Sequence, residues 1–536
     1  MINSKKYLGV LMMLLLAMIS CETSKKVEEN SKEEVAMETN KDAMYRPNFH
    51  FTPKAHWMND PNGLFYLNGT YHLFFQYYPE GNVWGPMHWG HATSKDMVTW
   101  EEQPIALFPD EKGYIFSGSA VVDINNTSGF AKNGETPVVA MFTYHDAIKE
   151  KEGAVDYQSQ ALAYSLDEGK TWTKYKNNPV IKNPGIKDFR DPKMFRDEIH
   201  NQWVMVLAVL DRTYIYTSSN LIDWSKQSEF GLGIGKHDGV WECPDFFPMQ
   251  VEGSNDIKWV LIQSLNPGGY NGGSGTPYFI GDFDGKTFTP IEQMKNLPED
   301  HTYWIDYGKD NYAGVTWSNI PDEDGRKLFI GWMSNWLYAQ EVPTETWRNA
   351  MTVARSLHLK KTEDTYRIFS KPVKELDDYK DTKIEKSSVV VDKNVSIVDT
   401  TDASLEKAVI KFKIPDFEEK DVAFSFSNTV GDSIIFGYKA KTHRFYIDRS
   451  KAGKIDFNKD FGNHVSTGPR TSKETYLAVT IVLDKTSMEI FYDHGETVMT
   501  EIFFFNKPVS NFNALKTNSS YSVEDITINP LSFNKN

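Results

Sequence analysis

A chain of 536 residues is too long for one hydrophobic core, so two or more domains are expected. Its formal net charge of −15 argues against nucleic acid or another polyanion as partner, whereas a neutral polysaccharide is indifferent to that charge. Aromatic residues at 14% with abundant glycine favour many short strands over helices, and two cysteines, Cys21 and Cys243, exclude a disulfide framework.

Lys5 and Lys6 precede an apolar run from Tyr7 to Ile19, and Ser20 stands directly before Cys21. The run is short for a membrane span and fits a signal peptide over residues 1–20. A cysteine directly after the cleavage point looks like a bacterial lipobox, in which the thiol is lipidated. That places the chain in the bacterial cell envelope, anchored to the outer membrane, on its surface or its periplasmic face. Residues 21–44 are mostly Lys, Glu, Ser, Asn and Thr, a composition that reads as a solvated tether.

His56-Trp57-Met58-Asn59-Asp60-Pro61-Asn62-Gly63 sets a carboxylate ahead of a Pro-Asn-Gly turn, with Asp60 expected at the end of a strand. Arg190-Asp191-Pro192 and Trp241-Glu242-Cys243-Pro244-Asp245 again put an acid before or near a proline in a strand-like, aromatic-rich context. Singly, each reads as an ordinary turn or a surface salt bridge.

A polar turn followed by an aromatic residue also recurs. Thr93-Ser94-Lys95-Asp96 leads to Trp100, and Tyr164-Ser165-Leu166-Asp167 to Trp172. Thr217-Ser218-Ser219-Asn220 leads to Trp224, and Gly281-Asp282-Phe283-Asp284 to Phe288. Intervals of roughly 50 to 70 residues suit four-stranded blades with variable loops, with a divergent fifth unit ending near Leu359. Ser165 to Trp172 also matches the Asp-box of sialidases, a structural turn that argues fold and not chemistry. Charged residues 363–386, crossed by Lys371-Pro372, read as a linker. Beyond them, Val409-Ile410-Lys411-Phe412, Val422 to Phe426, Ala478 to Leu483 and Met488 to Tyr492 read as strands of a β-sandwich.

The three acid motifs, in this order, resemble glycoside hydrolase family 32, the β-fructosidases. The likeness extends through Phe116-Ser117-Gly118-Ser119-Ala120, Gly331-Trp332-Met333-Ser334-Asn335-Trp336, Val342-Pro343-Thr344 and Trp347-Arg348-Asn349-Ala350-Met351. It implies an all-β chain: a five-bladed propeller over residues 45–362, the linker, and a sandwich over residues 387–536. It also implies release of terminal β-fructose from levan, inulin or sucrose with retention, which requires two carboxyl groups roughly 5–5.5 Å apart. Asp60 is then the nucleophile, Glu242 the acid/base, and Asp191 a third carboxylate that binds fructose hydroxyls.

Asn59 is expected to hold Asp60, and Arg190 to hold the acid cluster. Trp57, Trp84 and Trp332 are expected as walls, with Phe116 beside them and Gln76 and Ser117 meeting hydroxyls. Trp241, Pro244, Phe246 and Phe247 are expected to give Glu242 an apolar setting. Cys243 reads as a small buried neighbour and not a nucleophile. No cofactor or metal is required, and His56, His88 and His91 fit no familiar ligand spacing. The rival readings are an inverting propeller arabinanase or xylosidase, a fructosyltransferase, and a non-catalytic glycan-binding lipoprotein.

Overall fold

The computed structural model describes residues 43–363, 365–399 and 405–533. The expected signal peptide, Cys21 and the expected tether up to residue 42 lie outside these residues. Among the described residues, five sheets precede Val373 and two follow Lys383. The opening strands of the first five are His56–Leu67, Tyr114–Val122, Phe189–Asp197, Val240–Gln250 and Tyr312–Thr316. These strands contact one another in a closed cycle, first to second and so on, with the fifth returning to the first. The result is a β-propeller. Trp347–Arg348, from within the fifth unit, pairs in parallel with His56 and Trp57 and ties the ends of the ring together.

The recurring polar turns join the third and fourth strands of successive sheets. In three of them a serine hydroxyl meets an acid or amide two residues on: Ser94 with Asp96, Ser165 with Asp167, Ser218 with Asn220. That side chain then accepts backbone N–H groups further along the turn, at Thr99, Thr171 and Asp223. In the fourth turn Asp284 accepts from the N–H of Lys286 and Thr287. In the fifth turn Thr362 N–H donates to the Thr365 carbonyl.

The propeller does not stop at residue 362. Tyr366–Pro372 pairs with Arg355–Lys361 as the outermost strand of the fifth sheet. Its Arg367 and Lys371 read as linker, yet both are half-buried in the sheet, and Arg367 donates to the Thr302 carbonyl at 2.8 Å. The connection reduces to residues 373–383, which include a 3-10 segment, Lys374–Tyr379. The first sandwich strand, Ile384–Val391, starts inside the expected linker.

The sandwich has two six-stranded sheets. In the sheet nearer the propeller, Val409, Val482, Phe491 and Val498 pack against Leu328, Ile330 and Val353 of the ring. Their neighbours Ile410, Ile481, Ile490 and Met499 join Phe424, Phe436 and Phe512 in the sandwich interior. A sheet covered on both faces needs apolar residues at successive positions, so its strands read as continuous hydrophobic runs.

His50 enters the same interface. Its Nδ1 lies 2.8 Å from Asp484 Oδ2 and its Nε2 3.0 Å from Glu489 Oε1, all buried. Burial alone lowers its pKa, but the hydrogen bonds and charges of Asp484 and Glu489 outweigh that and push it up to about 9. The folded value lies above the ordinary 6.5, so the stability it contributes is complete below about pH 6.5 and lost as pH rises through 9. The loss is on the order of 3 kcal/mol. Thermal melts of the native protein should therefore shift downward between pH 6.5 and 9.5, and His50→Gln should remove that shift. An unchanged pH slope in the variant would rule out the coupling.

Candidate active site

All five opening strands break register at the same level. The unpaired residues are Asn59-Asp60, Phe116-Ser117, Asp191-Pro192, Cys243-Pro244 and Ala313-Gly314. A bulge re-aims a side chain and leaves backbone groups unpaired. Proline, which has no N–H to lose, suits such positions. Asp191, Cys243 and Ala313 also adopt positive φ of 64°, 45° and 53°, strained values for residues with a Cβ. The acid-before-proline pattern is thus a bulge signature. Pro61-Asn62-Gly63 does not reverse the chain, and Asp60 is not at a strand end: the strand runs on to Leu67. Gly63 has φ 54°, and a Cβ there would lie 2.8 Å from the Trp89 ring.

The bulges bring the three expected acids together. Asp60 Oδ1 accepts from Asn59 Nδ2 at 3.0 Å, and Asn59 Oδ1 accepts from the Trp57 indole at 2.7 Å. Asp60 Oδ2 accepts from Ser117 Oγ at 2.6 Å. The Cys243 sulfur lies 3.5 Å from Asp60 Oδ2 and 3.7 Å from Asp191 Oδ2, between the two carboxylates. Asp191 Oδ2 also accepts the Cys243 backbone N–H at 3.0 Å. Arg190 donates to Glu242 Oε1 at 2.9 Å and to Asp188 Oδ1 at 2.6 Å, which fixes it among the acids.

Burial pushes the Asp60 carboxyl upward, with Ser117 and Asn59 opposing and the Glu242 charge adding. Burial likewise raises Asp191 to about 7, against the pull of Arg190 and with the charges of Glu242 and Asp60 adding. Burial and the flanking carboxylates push the Cys243 thiol well above its ordinary value. A protonated thiol is no nucleophile.

Glu242 differs from expectation in its surroundings. Trp241, Phe246 and Phe247 point into the core between sheets, in one cluster with Phe279 and Phe283. The carboxyl is instead held by Arg190 and by the hydroxyl of Tyr312, which meets Oε2. Along a strand successive side chains face opposite sides, so sequence neighbours are poor guides to surroundings. A phenol hydroxyl can donate to a carboxylate and accept from a carboxylic acid, so this contact serves both protonation states of an acid/base. Tyr312 and Asp188 carried no sequence signal, since each acts through a partner distant in the chain or embedded in another motif.

Trp57 and Trp332 are fully buried and stand 6.2 Å apart between ring centroids, with Trp336 5.0 Å from Trp332. The Trp332 indole N–H is buried with no hydrogen-bond partner among the described residues. Trp84 is 37% exposed and meets Phe116 edge-on at 5.9 Å, while Phe116 stacks on His145 at 4.1 Å. Gln76 is buried and spends its amide N–H groups on Asn62 Oδ1 and the Ile115 carbonyl. Ser117 holds Asp60. Of the three histidines, His91 pairs with His72 at 3.1 Å and His88 bonds the Pro86 carbonyl.

Residues 50–372 match the glycosyl hydrolases family 32 N-terminal domain, and residues 374–530 match the family's C-terminal domain. The chain is 45% identical to a levanase of Bacillus subtilis over 494 residues, 91% of this chain and 71% of that protein. It is 39% identical to an extracellular exo-inulinase of Aspergillus niger over 527 residues, covering 92% and 95% of the two chains. The crystal structure of exo-inulinase from Aspergillus awamori superposes with a TM-score of 0.83 at 35% identity, over 92% of this chain and 99% of that one. A fructofuranosidase variant from Schwanniomyces occidentalis, complexed with fructosylnystose, superposes with a TM-score of 0.80 at 32% identity, over 92% and 98%.

Proposed function

Because the chain belongs to glycoside hydrolase family 32, we propose that it is a β-fructosidase that removes terminal β-D-fructose from fructans or sucrose by double displacement. The observation that carries this reading is the convergence of Asp60, Asp191 and Glu242 around Cys243 and Arg190. In the first step an Asp60 oxygen forms a bond to the anomeric carbon as the bond to the leaving oxygen breaks, and Glu242 gives that oxygen its proton. In the second, Glu242 takes a proton from water, whose oxygen displaces Asp60.

Asp191, set beside Asp60 at the Cys243 sulfur, is the carboxylate that binds fructose hydroxyls in this reading. Trp57 and Trp332 are fully buried and present no face to a ligand, which leaves Trp336, half-buried against both, as the ring with surface for a sugar. The similar levanase and exo-inulinases, and the fructosylnystose complex, support a fructan substrate.

The test is to incubate the protein with levan, inulin and sucrose separately and to follow the first products by NMR. Free fructose should appear first as the β-anomer, with little early shortening of the polymer. Initial α-fructose would overturn double displacement, and an early ladder of oligosaccharides would overturn action from the chain end.

Lipid anchoring at Cys21 belongs to the same proposal, supported by the apolar run from Tyr7 to Ile19 and by Ser20 directly before the cysteine. Cys21→Ser should move the protein from the membrane fraction to the supernatant after cell lysis. Unchanged sedimentation with membranes would sink the anchor.

A further inference from the structure

Asp306 to Asn311 is the stretch that leads into the opening strand of the fifth sheet, and the sandwich grips it along its length. Thr497–Ile502 is an edge strand of the sandwich sheet nearer the ring. Its backbone is met by this stretch: Tyr307 N–H donates to the Val498 carbonyl at 2.7 Å and Asp310 N–H to the Thr500 carbonyl at 3.2 Å. In return Thr500 N–H donates to Asp306 Oδ1 and Ile502 N–H to Asp310 Oδ2, both at 2.9 Å.

Asp310 receives one cation as well. Arg449 of the sandwich reaches Asp310 Oδ2 at 2.6 Å and Glu501 Oε2 at 2.7 Å, with all three side chains at most 1% exposed. The Tyr338 hydroxyl donates to Asp310 Oδ1 at 2.6 Å and accepts from Arg449 at 2.8 Å. Two residues beyond Asp310 stands Tyr312, whose hydroxyl holds Glu242. Register is lost immediately after Tyr312, so its anchor on the N-terminal side bears directly on where the hydroxyl sits. Asn335, next to Trp336, is tied to the same stretch through the Lys309 carbonyl at 2.8 Å.

We propose that Arg449 is a positioning residue for proton transfer: it fixes Asp310, and through Tyr312 it sets the place of the Glu242 carboxyl. The inference rests on the acid/base role of Glu242. An ångström of misplacement costs about 100-fold in a positioned reaction, and the share at risk here is a proton donor's 10²–10⁴. The sandwich then belongs to the catalytic apparatus although the three acids all stand on the ring.

The test uses the full chain carrying Arg449→Lys, which keeps the charge and loses the fork. Three quantities are measured: kcat and KM on sucrose, the pre-steady-state release of fluoride from β-fructosyl fluoride, and the effect of the same change in a Tyr312→Phe background. Fluoride leaves without a proton, so only the first substrate depends on the donor. The expected result is a fall of about tenfold in kcat on sucrose, with KM and fluoride release nearly unchanged and no further loss once Tyr312 is Phe. Equal falls on both substrates, or losses that multiply in the double variant, would mean a structural role only and would overturn the proposal.

Tyr338→Phe removes one hydroxyl and leaves both charges paired, and it is read in parallel by the same criteria in case the arginine variant does not fold. Failure of the acid/base assignment itself is seen separately, in Glu242→Gln, as equal losses on the two substrates.

Discussion

Asp60→Asn is expected to lower kcat on levan, inulin and sucrose by at least about 10⁴-fold while leaving the fold intact. The amide matches the carboxylate in shape. Its oxygen can accept from Asn59 and its nitrogen can donate to Ser117 Oγ, so the neighbours lose little. What is lost is the bond to the anomeric carbon, on which both half-reactions depend. Asp191 is the rival nucleophile, since it lies against the same sulfur. Burial raises the carboxyls of both acids, so the direction of their shifts does not separate them. Asp60 keeps two strong donors, Asn59 and Ser117, on its two oxygens. Azide separates the two acids. Added to Asp60→Ala, it should enter the vacated space and yield α-fructosyl azide, because it attacks from the nucleophile's face. Rescue of Asp191→Ala instead would transfer the nucleophilic role to Asp191.

What was legible in the sequence follows from how local each device is. Proline has no N–H to give up, so the bulges at Asp60 and Asp191 and the one directly after Glu242 leave a mark in a proline within or just past each. The polar turns are equally local, because Ser94, Ser165 and Ser218 bond residues only two to four positions away. The strand Tyr366–Pro372 was hidden, because its Arg367 and Lys371 follow Glu363 and Asp364 and the whole run reads as a charged linker.

The setting of Glu242 lies at the other extreme. Arg190 and Tyr312 reach it from 52 and 70 residues away, while the aromatic residues next to it in sequence face a different core. The hold of the sandwich on Asp306 and Asp310 spans more than 130 residues. Arginine 449 and Glu501 sit in strands whose patterns report only that they are strands.

Glu242→Gln is the second large effect, and the leaving group decides its size. On sucrose and fructans kcat should fall by roughly 10³-fold, within the range for loss of a general acid. Glutamine still fits between Arg190 and Tyr312, so the loss reports proton transfer and not collapse of the pocket. With β-fructosyl fluoride the first step needs no proton, and fluoride should emerge in a burst close to one equivalent per enzyme. Turnover should then slow, because the fructosyl group on Asp60 waits for a water that no base activates. Azide needs no base, so it should speed the slow phase and give β-fructosyl azide, the configuration opposite to the product expected from Asp60→Ala. Two variants, one reagent and two opposite anomers assign the nucleophile and the acid/base independently of any loss of rate. Absence of the burst, with fluoride and sucrose slowed alike, would remove Glu242 from the acid role.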